Sequence, residues 1–251
     1  MRRIVVTGLA LAACLASAGG ASSEDSRVAR GRDVFAANCA SCHGPQGEGV
    51  PAPRRGSGGI IGLGPPLRGV GARAADFYLR TGYMPLRNPY DQPHRQRPLL
   101  PDRDIDAVVA YVASLGGPGV PKPHPERGSL SEGLQLFTEH CAGCHQVVGA
   151  GGYVTGSVAP PLDRATAVQI AEAVRVGPYV MPRFGQRQIS DRQLDSIIRY
   201  VEYARDPKDS GGWAIGHLGP VPEGMVAWLI AGSALVLVAV VIGKRLKEEH
   251  E

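Results

Sequence analysis

The chain has 251 residues, of which 43% are hydrophobic and 20% are charged, and its net charge is +4. That length allows one or two domains with buried cores. Much of the basic excess lies at the two ends, and no stripe of Lys and Arg interleaved with aromatic residues occurs, which excludes nucleic acid as a partner. Four of the five cysteines fall in two short motifs, so no framework of disulfides is available.

The N-terminus has the pattern of a secretory signal peptide. Two arginines precede an apolar run over residues 4–16, and small residues follow it. This order of regions predicts a cleaved signal over residues 1–21. The run is too short to span a bilayer, which takes about 20 apolar residues. Residues 11–14 also resemble a lipobox in which Cys14 would carry a lipid, although removal of Cys14 with the signal is the simpler interpretation.

The motif Cys-x-x-Cys-His occurs twice, over residues 39–43 and 141–145. It is typical of covalent haem c attachment, in which the thiols add across the vinyl groups and the His presents a nitrogen to the iron. A zinc site needs four ligands around a tetrahedron, and each copy offers three. A thioredoxin-like dithiol needs no His and lies in a strand–helix unit. We therefore predict two covalently bound haem c groups, attached through Cys39, Cys42, Cys141 and Cys144, with His43 and His145 as iron ligands.

Each half of the chain also offers a second iron ligand. Met84 and Met181 follow the two motifs, and each stands directly before a proline. A thioether is an uncharged, soft donor that raises the potential of haem iron relative to two histidines. The other two methionines are Met1, which initiates the chain, and Met225, which opens an apolar segment. Methionine also fills gaps in cores, but the equivalent places of Met84 and Met181 favour ligation.

A Pro-Pro-Leu segment lies between each motif and its methionine. A ligating imidazole usually donates its other N–H to a carbonyl, which fixes the ring and makes the ligand more basic. Stiffening of an ordinary loop is the alternative role of such prolines. We predict that the acceptor is the carbonyl of Pro65 or Pro66 in the first half and of Pro160 or Pro161 in the second.

These shared features indicate an internal duplication. An amphipathic helix closes each half, over about residues 101–115 and 190–204, and Asp102 and Ser190 are its predicted caps. No strand pattern of consequence appears, which predicts an all-α fold. The predicted units are residues 27–117 and 129–208, and the predicted linkers are residues 118–128, which are rich in proline and stiff, and residues 209–224.

Residues 225–243 contain no charged side chain and predict a transmembrane helix. About 19 residues with a rise of 1.5 Å extend about 28 Å, close to the thickness of the hydrocarbon core. The stretch has no polar face and ends at a basic cluster, which disfavours a buried core helix. The positive-inside rule then places residues 244–251 in the cytoplasm and both halves on the outer side of the cell membrane.

The order of elements resembles the class I cytochrome c fold, here in tandem. In that family a glycine on the first helix crosses the last helix at an aromatic residue, and Gly31 with Tyr111 and Gly133 with Tyr200 fit this pattern. With its C-terminal span, the chain resembles the dihaem cytochrome c subunit of actinobacterial menaquinol–cytochrome c reductases (cytochrome bc complexes). The likeness covers nearly the whole mature chain, and a short signal and an insertion over residues 54–59 depart from it.

The resemblance implies an electron-transfer subunit of a quinol–cytochrome c reductase, with no catalytic site of its own. Cytochrome b and a Rieske iron–sulfur protein would be its partners, and an aa-type cytochrome c oxidase would receive the electrons. One rival function is a dihaem enzyme similar to thiosulfate dehydrogenase, which would need an open position or a Cys or His ligand at the iron. Another rival is an anchored dihaem carrier that feeds a different oxidase.

Overall fold

The computed structural model describes residues 23–50, 64–86, 94–207 and 220–248. Helices dominate these ranges, which confirms the predicted fold class. Outside them lie the predicted signal peptide with Cys14, the insertion over residues 54–59, most of the linker before the membrane span, and the last residues of the tail.

Two helical units follow one another along the chain. The first half (residues 23–117) contains α1 (Ser23–Asn38), α2 (Ala40–His43), α3 (Gly71–Arg80) and α4 (Asp102–Ser114). The second half (residues 118–207) contains a 3₁₀ turn (Pro125–Arg127), α5 (Leu130–His140), α6 (Ala142–His145), strands β1 (Gly152–Val154) and β2 (Ser157–Ala159), α7 (Ala167–Val176) and α8 (Asp191–Arg205). A long helix, α9 (Pro220–Glu248), ends the described chain.

The first and last helices of the first half meet at a glycine. A Cβ atom on Gly31 would lie 1.9 Å from the carbonyl oxygen of Ala107 and 2.9 Å from the Cβ of Tyr111, so only hydrogen fits there. The rings of Phe35 and Tyr111 then pack with their centroids 5.1 Å apart. This crossing brings the end of α1, where the first motif starts, against α4.

The second half repeats the crossing with α5 and α8. A Cβ atom on Gly133 would lie 2.0 Å from the carbonyl oxygen of Ser196 and 2.9 Å from the Cβ of Tyr200. Phe137 and Tyr200 place their ring centroids 5.3 Å apart. The glycine and aromatic pairs of both halves therefore lie where the resemblance implies.

Each half has a core of its own, built on one face of its last helix. In the first half, α4 buries Ile105, Val108 and Val112 among the neighbouring helices. In the second half, α8 does the same with Leu194, Ile197, Ile198 and Val201. The helical spacing of these residues in the sequence predicts the buried faces, and the structure confirms them. Val109, predicted on the same face of α4, is partly buried against that core.

The caps of the last helices differ from one another. Ser190 caps α8 as predicted: its hydroxyl accepts a hydrogen bond from the backbone N–H of Gln193, whose side chain accepts one from the N–H of Ser190. The prediction for Asp102 is wrong, because α4 begins at Asp102 itself and Pro101 occupies the cap position. Inside the first turn, the Asp102 carboxylate can still stabilise the positive end of the helix dipole.

A short β-hairpin follows the second motif and was not predicted. Its antiparallel strands pair Tyr153 with Val158, and Gly156 turns the chain with a φ of +80°. Strands of three residues are too short to show alternation in the sequence, which explains the omission.

The two halves pack against each other through α3 and α7. At this interface the guanidinium of Arg95 donates to the carbonyl oxygen of Arg164 at 3.1 Å and to the side-chain oxygen of Gln169 at 2.9 Å. The linker contributes as well, since the carbonyl of Pro118 accepts a hydrogen bond from the N–H of Arg73 at 3.2 Å. The halves are therefore joined by tertiary contacts in addition to the chain.

Helix α9 starts five residues before the predicted span. Residues 221–247 are long and apolar enough to cross a membrane, and none of the most apolar stretch is buried within the described chain. At 1.5 Å per residue, these 27 residues extend about 40 Å. That length exceeds the thickness of the hydrocarbon core, which is about 30 Å. The chain thus carries a C-terminal helix of the kind that anchors a protein in a membrane.

We expect Gly31→Ala and Gly133→Ala each to destabilise their own half by about 3 kcal/mol, because the added methyl group meets a backbone carbonyl that cannot move aside. Gly119→Ala is the control, since no atom lies within 4 Å of its added Cβ. Thermal unfolding followed by circular dichroism measures the effect. Midpoints of the two variants equal to that of the control would contradict the tight crossing.

Candidate haem-binding sites

Both Cys-x-x-Cys-His segments form one turn of helix directly after a longer helix. In the first half, the N–H of Cys42 donates to the carbonyl of Cys39 at 3.1 Å, and the N–H of His43 donates to the same carbonyl at 2.9 Å. The corresponding distances from Cys144 and His145 to the carbonyl of Cys141 are again 3.1 and 2.9 Å, so the backbone geometry of the two motifs matches. A helical turn places the cysteines, three positions apart, on one face.

A proline carbonyl orients each histidine. The Nδ1 of His43 lies 2.8 Å from the carbonyl oxygen of Pro65, and the Nδ1 of His145 lies 3.1 Å from that of Pro160. Of the two carbonyls considered in each half, the structure places the first next to the ring. Because a carbonyl can only accept, Nδ1 carries the proton and the lone pair is on Nε2. Burial lowers the pKa of the His145 imidazole, and the hydrogen bond to Pro160 partly offsets this effect. The lowered pKa favours the neutral ring that a metal ligand requires.

A glycine that was not identified from the sequence bonds to the backbone of each histidine and lies close to the Pro-Pro segment. The N–H of Gly49 donates to the carbonyl of His43 at 2.7 Å, and the N–H of Gly151 donates to that of His145 at 3.0 Å. Both glycines have positive φ. A Cβ on Gly49 would lie 2.7 Å from the nitrogen of Pro66, and a Cβ on Gly151 would lie 2.7 Å from that of Pro161. Each glycine stands six positions after its histidine. That shared spacing was the available signal.

The structure brings each methionine to the core that its motif borders. Met84 and Cys39 are both half-buried against the core of the first half, and Met181 and Cys141 are both half-buried against that of the second. A leucine from each Pro-Pro-Leu segment packs there too. In each half, a cysteine, a methionine and an apolar core thus lie together, with the histidine next to the cysteine in sequence.

The first cysteine of each motif faces this apolar interior. Burial raises the pKa of the Cys39 thiol to about 11, and the neighbouring Cys42 adds to the effect. The pKa of Cys141 rises to about 11 for the same reasons, with Cys144 as the neighbour. A thioether to haem has no ionisable proton, so it suits a site that disfavours a thiolate. The donor set and the apolar surroundings fit haem c in both halves.

Two arginines that were not identified from the sequence connect the helix before each methionine to the last helix of the same half. The guanidinium of Arg175 is buried, and it donates to the carbonyls of Phe184 at 3.1 Å and Ile189 at 2.7 Å and to the Asp191 carboxylate at 2.7 Å. Arg80, its counterpart in the first half, forms an ion pair with Asp102 at 3.4 Å.

Both arginines stand two positions before a glycine with positive φ, Gly82 or Gly177. Alignment of the two halves would have revealed this repeat. Each arginine therefore ties the end of the helix that precedes the methionine to the first residue of the last helix.

Two family models match the chain. The model described as Cytochrome c covers residues 28–116, and the model described as Cytochrome C oxidase, cbb3-type, subunit III covers residues 128–201. The chain thus holds two cytochrome c domains, and such domains bind haem c.

Curated relatives resemble the chain over most of its length. The cytochrome bc1 complex cytochrome c subunit of Mycobacterium tuberculosis is 36% identical over 233 residues, which cover 89% of this chain and 80% of the relative. The subunit of the same name from Corynebacterium diphtheriae is 33% identical over 278 residues, with coverage of 98% and 95%. The Cbb3-type cytochrome c oxidase subunit CcoP of Azospirillum sp. is 30% identical over 197 residues, with coverage of 69% and 61%. The chain belongs to the family of cytochrome c subunits of the cytochrome bc1 complex.

Proposed function

We propose that the chain holds two haem c groups and passes electrons between them. The supporting observation is the duplicated site. In each half, a motif with the same backbone hydrogen bonds, a histidine bonded to a proline carbonyl, and a methionine border one core. Haem c bound at these sites supplies a reversible one-electron couple. The proposed attachment residues are Cys39, Cys42, Cys141 and Cys144, and the proposed iron ligands are His43, Met84, His145 and Met181.

The backbone and side-chain groups around each site have separable roles. The carbonyls of Pro65 and Pro160 hold the imidazoles in one tautomer and make Nε2 a better donor. As iron ligands, the methionine thioethers would add no charge, which would favour the ferrous state and a higher potential than a second histidine would give. The apolar cores limit the access of water. These properties suit electron transfer, and a methionine in both halves disfavours the rival dihaem enzyme with an open iron position.

The proposed donor is the Rieske iron–sulfur protein of a quinol–cytochrome c reductase, in which cytochrome b is a further partner. The proposed acceptor is an aa-type cytochrome c oxidase. Support for the reductase comes from relatives that carry the cytochrome bc1 name. The alignment with this chain covers up to 95% of their length. Two domains in one anchored chain make the second transfer intramolecular, so it no longer depends on diffusion.

The similarity to an oxidase subunit is the observation that supports one rival function, an anchored carrier for another oxidase. The subunit named CcoP matches over 69% of this chain, and the second domain matches a cbb3-type oxidase family model. The relatives named for the bc1 complex match more of the chain at higher identity, which favours the reductase.

The proposed topology places both domains on the extracytoplasmic side of the cell membrane. Lys244, Arg245 and Lys247 lie in the last turns of α9, and basic residues favour the cytoplasmic side of a span. The predicted signal over residues 1–21 would export the rest of the chain. Covalent haem attachment in bacteria also takes place outside the cytoplasm, which agrees with this orientation.

We expect a pyridine haemochrome assay of the purified chain to give two haem c per chain. The double variant Cys39→Ala/Cys42→Ala should give one, and its first half should lose helical structure, because so small a unit has a marginal core without its cofactor. The matched variant Cys141→Ala/Cys144→Ala should affect only the second half. Fewer than two groups in the unaltered chain would contradict the proposal.

Met84→His and Met181→His should each lower one of the two reduction potentials, because imidazole stabilises ferric iron more than a thioether does. We expect the drop in potential to be a clear fraction of the range of about 0.8 V over which axial ligands set haem potentials. Redox titration followed by visible absorption measures it. Val180→His, which places an imidazole beside Met181 on an exposed position, is the control and should leave both potentials in place. A methionine variant that changes neither potential would show that its sulfur is not a ligand.

Purification of the tagged full-length chain from native membranes should bring down cytochrome b, the Rieske protein and an aa-type oxidase. Optical spectra of b- and a-type haems and mass spectrometry identify them. A chain that ends before Pro220 is the control for membrane anchoring and should be released from the membrane. Recovery of a cbb3-type oxidase without a Rieske protein would favour the rival carrier.

A further inference from the structure

Two carboxyl groups meet at the interface between the halves, which we call the α3–α7 interface. Asp76 on α3 is 7% exposed, and Glu172 on α7 is completely buried. Helices α3 and α7 pack against each other, and the two carboxyl groups interact across this contact. Asp76 belongs to the first half and Glu172 to the second, so a hydrogen bond between their carboxyl groups would also join the halves.

The basic side chains of α3 are committed elsewhere or do not reach Glu172. The Nε of Arg80 donates to Asp76 at 2.8 Å, and its other nitrogens bind Asp102 at 3.4 Å and Asp106. The Nε of Arg73 is buried and donates to no acceptor in the described chain.

On the side of the second half, two further arginines contribute charge. Arg175 is bound to the carbonyl of Ile189 and to Asp191. Arg183 and Arg175 together lower the pKa of Arg73, after burial, which is the larger cause. Among the residues that the structure describes, no arginine donates a hydrogen bond to Glu172.

Both side-chain oxygens of Glu172 therefore lack a donor within the described ranges. Two ionised carboxylates are both acceptors and cannot bond to each other. A buried carboxylate without a donor is strongly unfavourable, whereas a protonated carboxyl can donate to its neighbour. We propose that Asp76 and Glu172 share one proton, carried by Glu172 and donated to Asp76, which makes the α3–α7 interface a proton-binding site that links the two halves.

The electrostatics agree with the geometry. Burial is the main cause that raises the pKa of Glu172 to about 9, and the negative charge of Asp76 is the next. Arg80 and Arg73 act in the opposite direction and do not outweigh these causes. Glu172 therefore keeps its proton at neutral pH, while Asp76 accepts hydrogen bonds from both Arg80 and Glu172.

Infrared spectroscopy of the full-length holoprotein tests the proposal directly. A protonated carboxyl group has a C=O stretch well separated from the bands of carboxylates, so Glu172→Gln should remove one such band at pH 7. Glu202→Gln alters an exposed residue of α8 and should leave the band in place. An unchanged band in Glu172→Gln would overturn the proposal.

Asp76→Asn tests whether the two groups share the proton. The new amide would donate to Glu172 and remove the need for a proton, so the same band should shift or disappear. A band that stays unchanged in Asp76→Asn would contradict the sharing, even if Glu172→Gln removes it.

The pH dependence of unfolding is a second readout. Folded Glu172 keeps its proton up to about pH 9, and the unfolded chain releases it above the ordinary pKa of 4.5. Unfolding then releases a proton between these values, so a rise in pH favours unfolding. The unfolding equilibrium constant of the parent chain, relative to Glu172→Gln, should rise about tenfold per pH unit between about pH 5.5 and 8. A ratio that does not change with pH would overturn the proposal.

Discussion

The close approach of the first and last helices at a glycine controls the geometry of each half. At Gly31 and Gly133, the backbone of one helix touches the other at a distance that excludes any side chain. The aromatic contact beside each glycine then fixes how the helices cross. Since each motif starts one turn after that contact, the crossing sets where the cysteines and the histidine lie relative to the core. The proline carbonyls and the methionines then lie around the core that this crossing defines.

Local backbone hydrogen bonds complete the site from short segments that have little regular structure. The carbonyl of His43 accepts a hydrogen bond from Gly49, and the carbonyl of Pro65 meets the imidazole of the same histidine. The same two bonds join His145 to Gly151 and Pro160. Arg175 restrains the loop that carries Met181 from the other side. In the second half, His145 and Met181 are therefore held by different sets of bonds.

Much of this site could be predicted from the sequence, because its chemistry depends on residue types at fixed spacing. The motifs, the paired methionines, the prolines and the apolar faces of α4 and α8 all belong to that class. The β-hairpin was missed because three-residue strands show no period, and Asp102 was misjudged because Pro101 takes the cap position. The role of Arg175 and the meeting of Asp76 with Glu172 depend on long-range packing. Such contacts leave no periodic signal in one half of the chain.

The α3–α7 interface is built from the same helix of each domain. An interface with the same element on both sides is the kind that two identical subunits form around a twofold axis. In a symmetric dimer, every contact must occur twice, with the same residues. Counted back from Gly82 and Gly177, Asp76 corresponds to Ala171, and Glu172 corresponds to Phe77, so the acidic pair occurs once. Fusion of two copies into one gene permits such asymmetry, since each face can then mutate independently of the other.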